Sequence, residues 1–202
     1  MKLYYAPGAC SLAPHIVLIE AGLPFSTERV DLRAQPHITE GGIDYKTLNA
    51  KGYVPTLALD NGDVLTEAAV VVQYIADQAP EKGLAPACNT FERYRMQEWL
   101  NFISAELHKG FGPFWKPDTP QEQKDATWTR LSQRFDWLAP QLTDKDYLMG
   151  RFSIADAYLF TILRWPDHFK LPLDSWPPLL AYRARVAARP AVQQAMKDEG
   201  IG

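Results

Sequence analysis

Cysteine is scarce in this chain of 202 residues, where only Cys10 and Cys88 occur. Two thiols cannot build a disulfide framework, so a reducing, cytoplasmic setting is expected. Long apolar runs are missing as well. No stretch of about 18 apolar residues exists to span a bilayer, and the opening Met-Lys-Leu-Tyr-Tyr-Ala-Pro carries no apolar leader. Neither sign of charge is in large excess, since 21 Lys and Arg face 24 Asp and Glu. Nucleic acid and anionic membrane surfaces are therefore not expected as partners. HExxH, paired CxxC, GxxxxGKS/T, GxGxxG and GxSxG are all lacking. Their absence argues against zinc, phosphoryl transfer, dinucleotide binding and the α/β-hydrolase nucleophile, and no metal site is assigned.

What is present is core-forming material. The hydrophobic set makes up 47% of the chain against 22% charged residues, enough to bury a sizeable core. Composition is uneven along the chain. All six Trp lie from Trp99 onward, whereas seven of the twelve Gly precede Leu84. The stretch from Ala79 to Ala87, APEKGLAPA, punctuates the apolar pattern with two Pro and a Gly, as a linker does. Domains over residues 1–80 and 88–202 are expected on that basis. Residues 1–80 carry 5 basic and 9 acidic groups and the remainder of the chain 16 and 15, so neither part offers a basic face.

The first part alternates between strand and helix signals. Lys2 to Tyr5 predicts a strand, followed by a Pro7-Gly8 turn and a helix from Ser11, its possible N-cap, to Ala21. A second strand is expected within Phe25 to Leu32, and an irregular helix at most within Thr39 to Asn49. Asp60-Asn61-Gly62-Asp63 between two apolar strands calls for a type I′ hairpin. Glu67 to Gln78 predicts an amphipathic helix with Val70, Val71, Tyr74 and Ile75 on one side. The order βαβ(α)ββα gives a four-stranded mixed sheet with helices packed on it. The second part is all helical. Met96, Leu100, Ile103 and Leu107 recur at helical spacing, and Ser153-Ile-Ala-Asp156 reads as a capping box opening a buried helix.

Four places could carry chemistry. Cys10 precedes a helix N-terminus whose N–H groups favour a thiolate, its own or a bound one, although a small buried core cysteine fits equally well. Val54-Pro55 either merely begins a strand or, if cis, turns the N–H and C=O of Val54 toward an extended peptide. Glu67 and Ala68 open a helix, where N–H groups suit a carboxylate and the Glu67 side chain an ammonium group; an acid complementing the dipole is the plainer alternative. His108 shares a polar face with Gln97, Asn101 and Ser104, which is either solvated or borders a cleft. No partner can be named for His15 or His37.

The segments MKLYYAPGACSLAPHIVLIEAGL, NAKGYVPTLALDNGDVLTEAAVVVQYIAD, EWLNFISAELHKGF and FSIADAYLF, in this order and spacing, resemble the bacterial beta class of glutathione S-transferases over essentially the whole chain. The resemblance implies a thioredoxin-like α/β N-terminal domain with a C-terminal all-helical bundle, and a cytoplasmic homodimer. It implies glutathione as co-substrate, no permanently bound cofactor, and a small hydrophobic electrophile lying against the helical domain. Carried over by position, Cys10 lies beside the glutathione sulfur, with Ser11 a further donor and His108 a catalytic partner. Val54, before an expected cis Pro55, pairs with the tripeptide. Glu67 and Ala68 hold the γ-glutamyl end, and Asn101 with Ala105, Glu106, Leu107 and His108 supplies helix contacts, some reaching the partner subunit's ligand. Gln35 stands where a lysine is usual, which removes a cation, and Ala68 and Ala105 lack hydroxyls found in relatives.

The expected activity is conjugation of the glutathione thiolate to carbon electrophiles. Thiol-disulfide exchange or reductive dehalogenation through Cys10 is the alternative chemistry, and a non-catalytic carrier of hydrophobic ligands the alternative class. Isomerisation of a small unsaturated acid is a further option. Phe111, Phe114, Trp115 and Trp165 are expected to line the electrophile pocket.

Overall fold

The computed structural model describes all 202 residues. Its N-terminal part is a mixed sheet of five strands in the order β3-β2-β1-β4-β5: β1 Lys2–Tyr5, β2 Ser26–Asp31, β3 Ile38–Thr39, β4 Thr56–Ala58 and β5 Val64–Thr66. β1 runs parallel to β2 and antiparallel to β4. The βαβ unit is closed by α1, Leu12–Ala21, which ends on Gly22 in the left-handed conformation that glycine adopts without steric cost.

Three expectations need correcting here. The sheet has five strands rather than four, because the two residues of β3 pair with Val30 and Asp31. Two residues show no alternation, so no sequence pattern marks them. The β4–β5 hairpin is not a two-residue type I′ turn. Leu59 and Asp63 still bond across it, and Asp60, Asn61 and Gly62 form a three-residue loop in which Gly62 alone takes positive φ, +90°. The helix after β5 is α2, Ala68–Asp77, and its buried side is Val71, Val72, Ile75 and Ala76, leaving Val70 45% exposed. Within residues 39–49 only the single turn Tyr45–Thr47 is helical.

The C-terminal part is entirely helical. α3, Phe91–Phe102, passes without a break into a wider π-helical stretch, Ile103–His108, and then a tight 3₁₀ stretch, Lys109–Trp115. α4 (Gln121–Gln141), α5 (Ile154–Leu163), the short α6 (Trp165–His168), α7 (Pro177–Ala187) and α8 (Pro190–Glu199) follow. Met96, Leu100, Ile103 and Leu107 are buried as their spacing predicts. All ten residues of α5 are buried, which explains why its sequence shows no polar face. α1 packs against α2, α5 and α8, so one continuous apolar core joins the sheet part to the bundle.

The helix change at residue 103 carries the chain past α4 at close range. Gly110 sits where an added Cβ would meet Leu131 Cδ2 at 2.7 Å, and Leu131 is itself 1% exposed. Gly110→Ala is therefore expected to lower stability by about 1–3 kcal/mol through overpacking, read as a lower urea midpoint with unchanged slope.

Candidate active site

A cleft of about 1780 Å³ opens between the sheet and the bundle. Its sheet side is built from the turn after β1, the segment around Val54 and the start of α2; its bundle side comes from Ser104, His108, Lys109, Tyr158 and the aromatic stretch at 114–117 and 164–169.

Cys10 occupies the turn before α1 and is 8% exposed. Its Sγ donates to the carbonyl of Val54 at 3.1 Å. Burial pushes the thiol up to about 12, more than Lys109 and the backbone N–H groups of Cys10 and Ser11 bring it down. The side chain is thus an S–H donor at neutral pH. Alkylation of the ligand-free protein at pH 7.5 is expected to label exposed Cys88 and leave Cys10 unlabelled, as peptide mass mapping would show.

Ser11 does not cap α1. Its backbone is already helical at φ −64°, ψ −16°, and its fully buried hydroxyl bonds the N–H and C=O of Ala6. It braces the turn behind Cys10 and does not face the cleft. The turn is tied from its other side by the buried carboxylate of Glu199 in α8, which accepts from Gly8 N–H at 2.9 Å and meets His15 Nδ1 at 3.0 Å. His15 therefore has a partner 184 residues away, beyond the reach of any local pattern. Trp165 Nε1–H donates to Gly8 O at 3.0 Å, and His37 Nδ1 meets Gly52 O at 3.0 Å.

The Val54–Pro55 peptide is cis, and so is Gln35–Pro36. The Val54 N–H has no acceptor within the chain, whereas its carbonyl takes the Cys10 thiol. Glu67 precedes α2 with φ +70°, a backbone conformation rarely adopted by L side chains and often kept at binding sites. Its side chain leaves the helix start uncapped. It pairs instead with Lys51 Nζ at 2.5 Å, and that ammonium also reaches Thr66 Oγ1 at 2.9 Å. The hydrogen bond from Lys51 holds the Glu67 carboxyl below its ordinary value. Beside it, the N–H of buried Ala68 is left free at the helix start.

On the bundle side, His108 Nδ1 lies 2.6 Å from the hydroxyl of Tyr158, which is 1% exposed on α5. Burial, aided by Lys109, lowers the imidazole to about 4, so it is neutral at physiological pH. Phe114, Trp115, Trp165 and Phe169 form the apolar wall. Phe111 is a correction: it is fully buried and packs behind Trp165 instead of lining the cleft.

The other residues expected from the resemblance do not all converge. Cys10, Val54, Glu67, Ala68 and His108 share the cleft, but Gln35 is exposed outside it, between the lining residues Ala34 and His37. Leu107 points into the core. Asn101, Ala105 and Glu106 are exposed and off this chain's cleft, with Glu106 ion-paired to Arg134 at 2.6 Å. This follows from the π-helical turn, which aims Ser104 and His108 at the cleft and their neighbours elsewhere. Ser104, on the polar face shared with His108, does line the cleft, whereas Lys51, Lys109, Arg164 and Tyr158 are cleft residues that sequence reasoning did not single out. For Tyr158 the signal was its place in FSIADAYLF, one turn along a buried helix.

Two family descriptions match the chain: the glutathione S-transferase N-terminal domain over residues 8–78 and the C-terminal domain over 102–190. The chain is similar to the glutathione S-transferase GstA of Escherichia coli O157:H7, 46% identical over the full length of both. A solved sphingomonad glutathione S-transferase in complex with glutathione is 43% identical, covers all of both chains and superposes with a TM-score of 0.95. The bacterial beta-class enzyme of Sphingomonas chungbukensis is 44% identical over all of both chains, with a TM-score of 0.96. With a cysteine-bearing turn facing a histidine across such a cleft, the chain belongs to the glutathione S-transferase family, in its bacterial beta class.

Proposed function

We propose that the protein conjugates glutathione, as co-substrate, to small hydrophobic electrophiles. The observation that carries this reading is the convergence of a free Val54 N–H, the open start of α2, the Cys10 S–H and His108 on one cleft walled by aromatic rings. An extended tripeptide pairs its backbone with Val54, as a strand adds to a sheet edge. Its γ-glutamyl carboxylate meets the Ala68 N–H, and its ammonium meets Glu67. Arg33 and Lys51, both on the cleft, supply the positive charge that Gln35 does not. The sulfur then lies between Cys10 and His108. The thiol proton leaves to solvent, the thiolate forms an S–C bond with the electrophile, and the leaving group departs with its electron pair.

A buried Cys10 held at about 12 favours a donor over a nucleophile, and so conjugation over thiol-disulfide exchange. The test is retention on immobilised glutathione together with turnover of an activated aryl halide. Retention without turnover would favour the carrier reading. A Cys10-dependent mass increase after incubation with oxidised glutathione would favour exchange.

We further place the enzyme in the cytoplasm as a homodimer. α2 and α3 lie side by side, joined by Arg93 to Asp77 at 2.7 Å and Gln97 to Gln73 at 3.0 Å, and leave Val70, Phe91 and Tyr94 45%, 68% and 60% exposed. Such apolar exposure suits a subunit interface. In that dimer Asn101, Ala105 and Glu106 are assigned to the partner's glutathione. Domains at 1–80 and 88–202 complete the proposal.

A further inference from the structure

We infer that Tyr158 is a positioning residue, which donates its hydroxyl proton to His108 Nδ1 and so leaves the hydrogen on Nε2, aimed at the bound glutathione sulfur. The inference deepens the transferase reading and rests on it. Tyr158 comes from α5 and His108 from the π-helical stretch, and their contact at 2.6 Å is among the shortest hydrogen bonds between the elements that build the cleft. One ring nitrogen is therefore fixed by a buried group. The other, Nε2, has no partner in the chain and belongs to the residue that lines the cleft.

The direction of this bond decides what His108 can do. A phenol O–H is a far stronger acid than a neutral imidazole N–H, so the short contact is made with tyrosine as donor and Nδ1 as acceptor. A neutral imidazole carries a single N–H, and acceptance at Nδ1 places it on Nε2. The alternative, Nδ1–H donating to the phenol, would leave Nε2 as a bare lone pair. His108 would then act as the base that removes the thiol proton. With Nε2–H it acts as a donor to the thiolate, alongside the Cys10 S–H, and the proton goes to solvent. Trp165 confines the ring, its centroid 4.9 Å away in an edge-on arrangement, so the imidazole cannot easily flip to exchange its nitrogens.

The experiment is nitrogen NMR of the whole protein labelled with ¹⁵N-histidine at pH 7, with the His108 signals assigned by comparison with His108→Gln. The expected result is one tautomer, with a pyrrole-type Nε2 and a pyridine-type Nδ1. Tyr158→Phe keeps the ring and removes the O–H, and should mix the tautomers. It should lower kcat for aryl halide conjugation about tenfold, the worth of one directed hydrogen bond, with little change in KM for glutathione. His108→Gln, which keeps an N–H donor and cannot titrate, should retain more activity than His108→Ala. A pyridine-type Nε2 in the wild type would overturn the assignment whatever the activity. An unaltered kcat and pH profile in Tyr158→Phe would overturn the positioning role. A chain with the expected tautomer but no turnover would instead sink the transferase reading, and the positioning role with it.

Discussion

Asp156→Ala is expected to cost about 4 kcal/mol of folding free energy, a large part of the roughly 5–15 kcal/mol that a chain of this kind has available. The carboxylate is fully buried, and each oxygen takes two hydrogen bonds. Oδ2 accepts from the Ser153 N–H and Oγ–H, both at 2.9 Å, and Oδ1 from the Leu148 N–H at 2.9 Å and the Tyr182 hydroxyl at 2.8 Å. Alanine would leave two backbone N–H groups and a tyrosine hydroxyl buried without acceptors, each of which costs about 1–3 kcal/mol. The damage also reaches the site, because this aspartate fixes the start of α5, and α5 carries Tyr158 to His108. Denaturant unfolding should show a sharply lower midpoint, and Asp156→Asn, which keeps one acceptor oxygen, a smaller drop.

His108→Ala is expected to lower kcat by about 100-fold, since a preorganised donor aimed at developing or bound negative charge is worth about 10²–10³ in rate. Cys10→Ala should cost less, about tenfold, because the S–H is a weaker donor and is shared with the Val54 carbonyl. The pH profile adds a second reading. With its imidazole lowered to about 4, His108 should give kcat/KM no acid inflection at the ordinary histidine value. The same shift has a consequence for stability. The folded imidazole titrates below the unfolded one, so the unfolded state takes up a proton first as pH falls. The stability that neutral His108 contributes is present above about pH 6.5 and is lost as pH falls toward 4.

Much of this was legible in the sequence, for reasons that differ from element to element. β1, β4, β5 and α2 are announced by local pattern and turn residues, and the Met96 to Leu107 stripe by periodicity alone. β3 was not, since two residues carry no period. The hairpin shows how Asn-Gly can mislead, because the same dipeptide fits a three-residue loop when only its glycine needs positive φ. Of the residues expected in the site, Cys10, Val54, Glu67, Ala68 and His108 line one cleft. Lys51 and Tyr158 were missed because their roles arise from contacts 16 and 50 residues away in the chain. Phe111 was misplaced because the helix changes its winding at residue 103, and a constant 3.6 spacing no longer tells which side faces the cleft.

The central claim is that this cleft binds glutathione as a thiolate held by donors, with His108 foremost among them. Ultraviolet difference spectra of the protein titrated with glutathione across pH 5–9 test it most directly, because the thiolate absorbs where the thiol does not. The account predicts a thiolate band at neutral pH that exceeds that of free glutathione, is weakened in Tyr158→Phe and is largely lost in His108→Ala. Bound glutathione that ionises no more readily than the free tripeptide, or a band indifferent to His108, would contradict it.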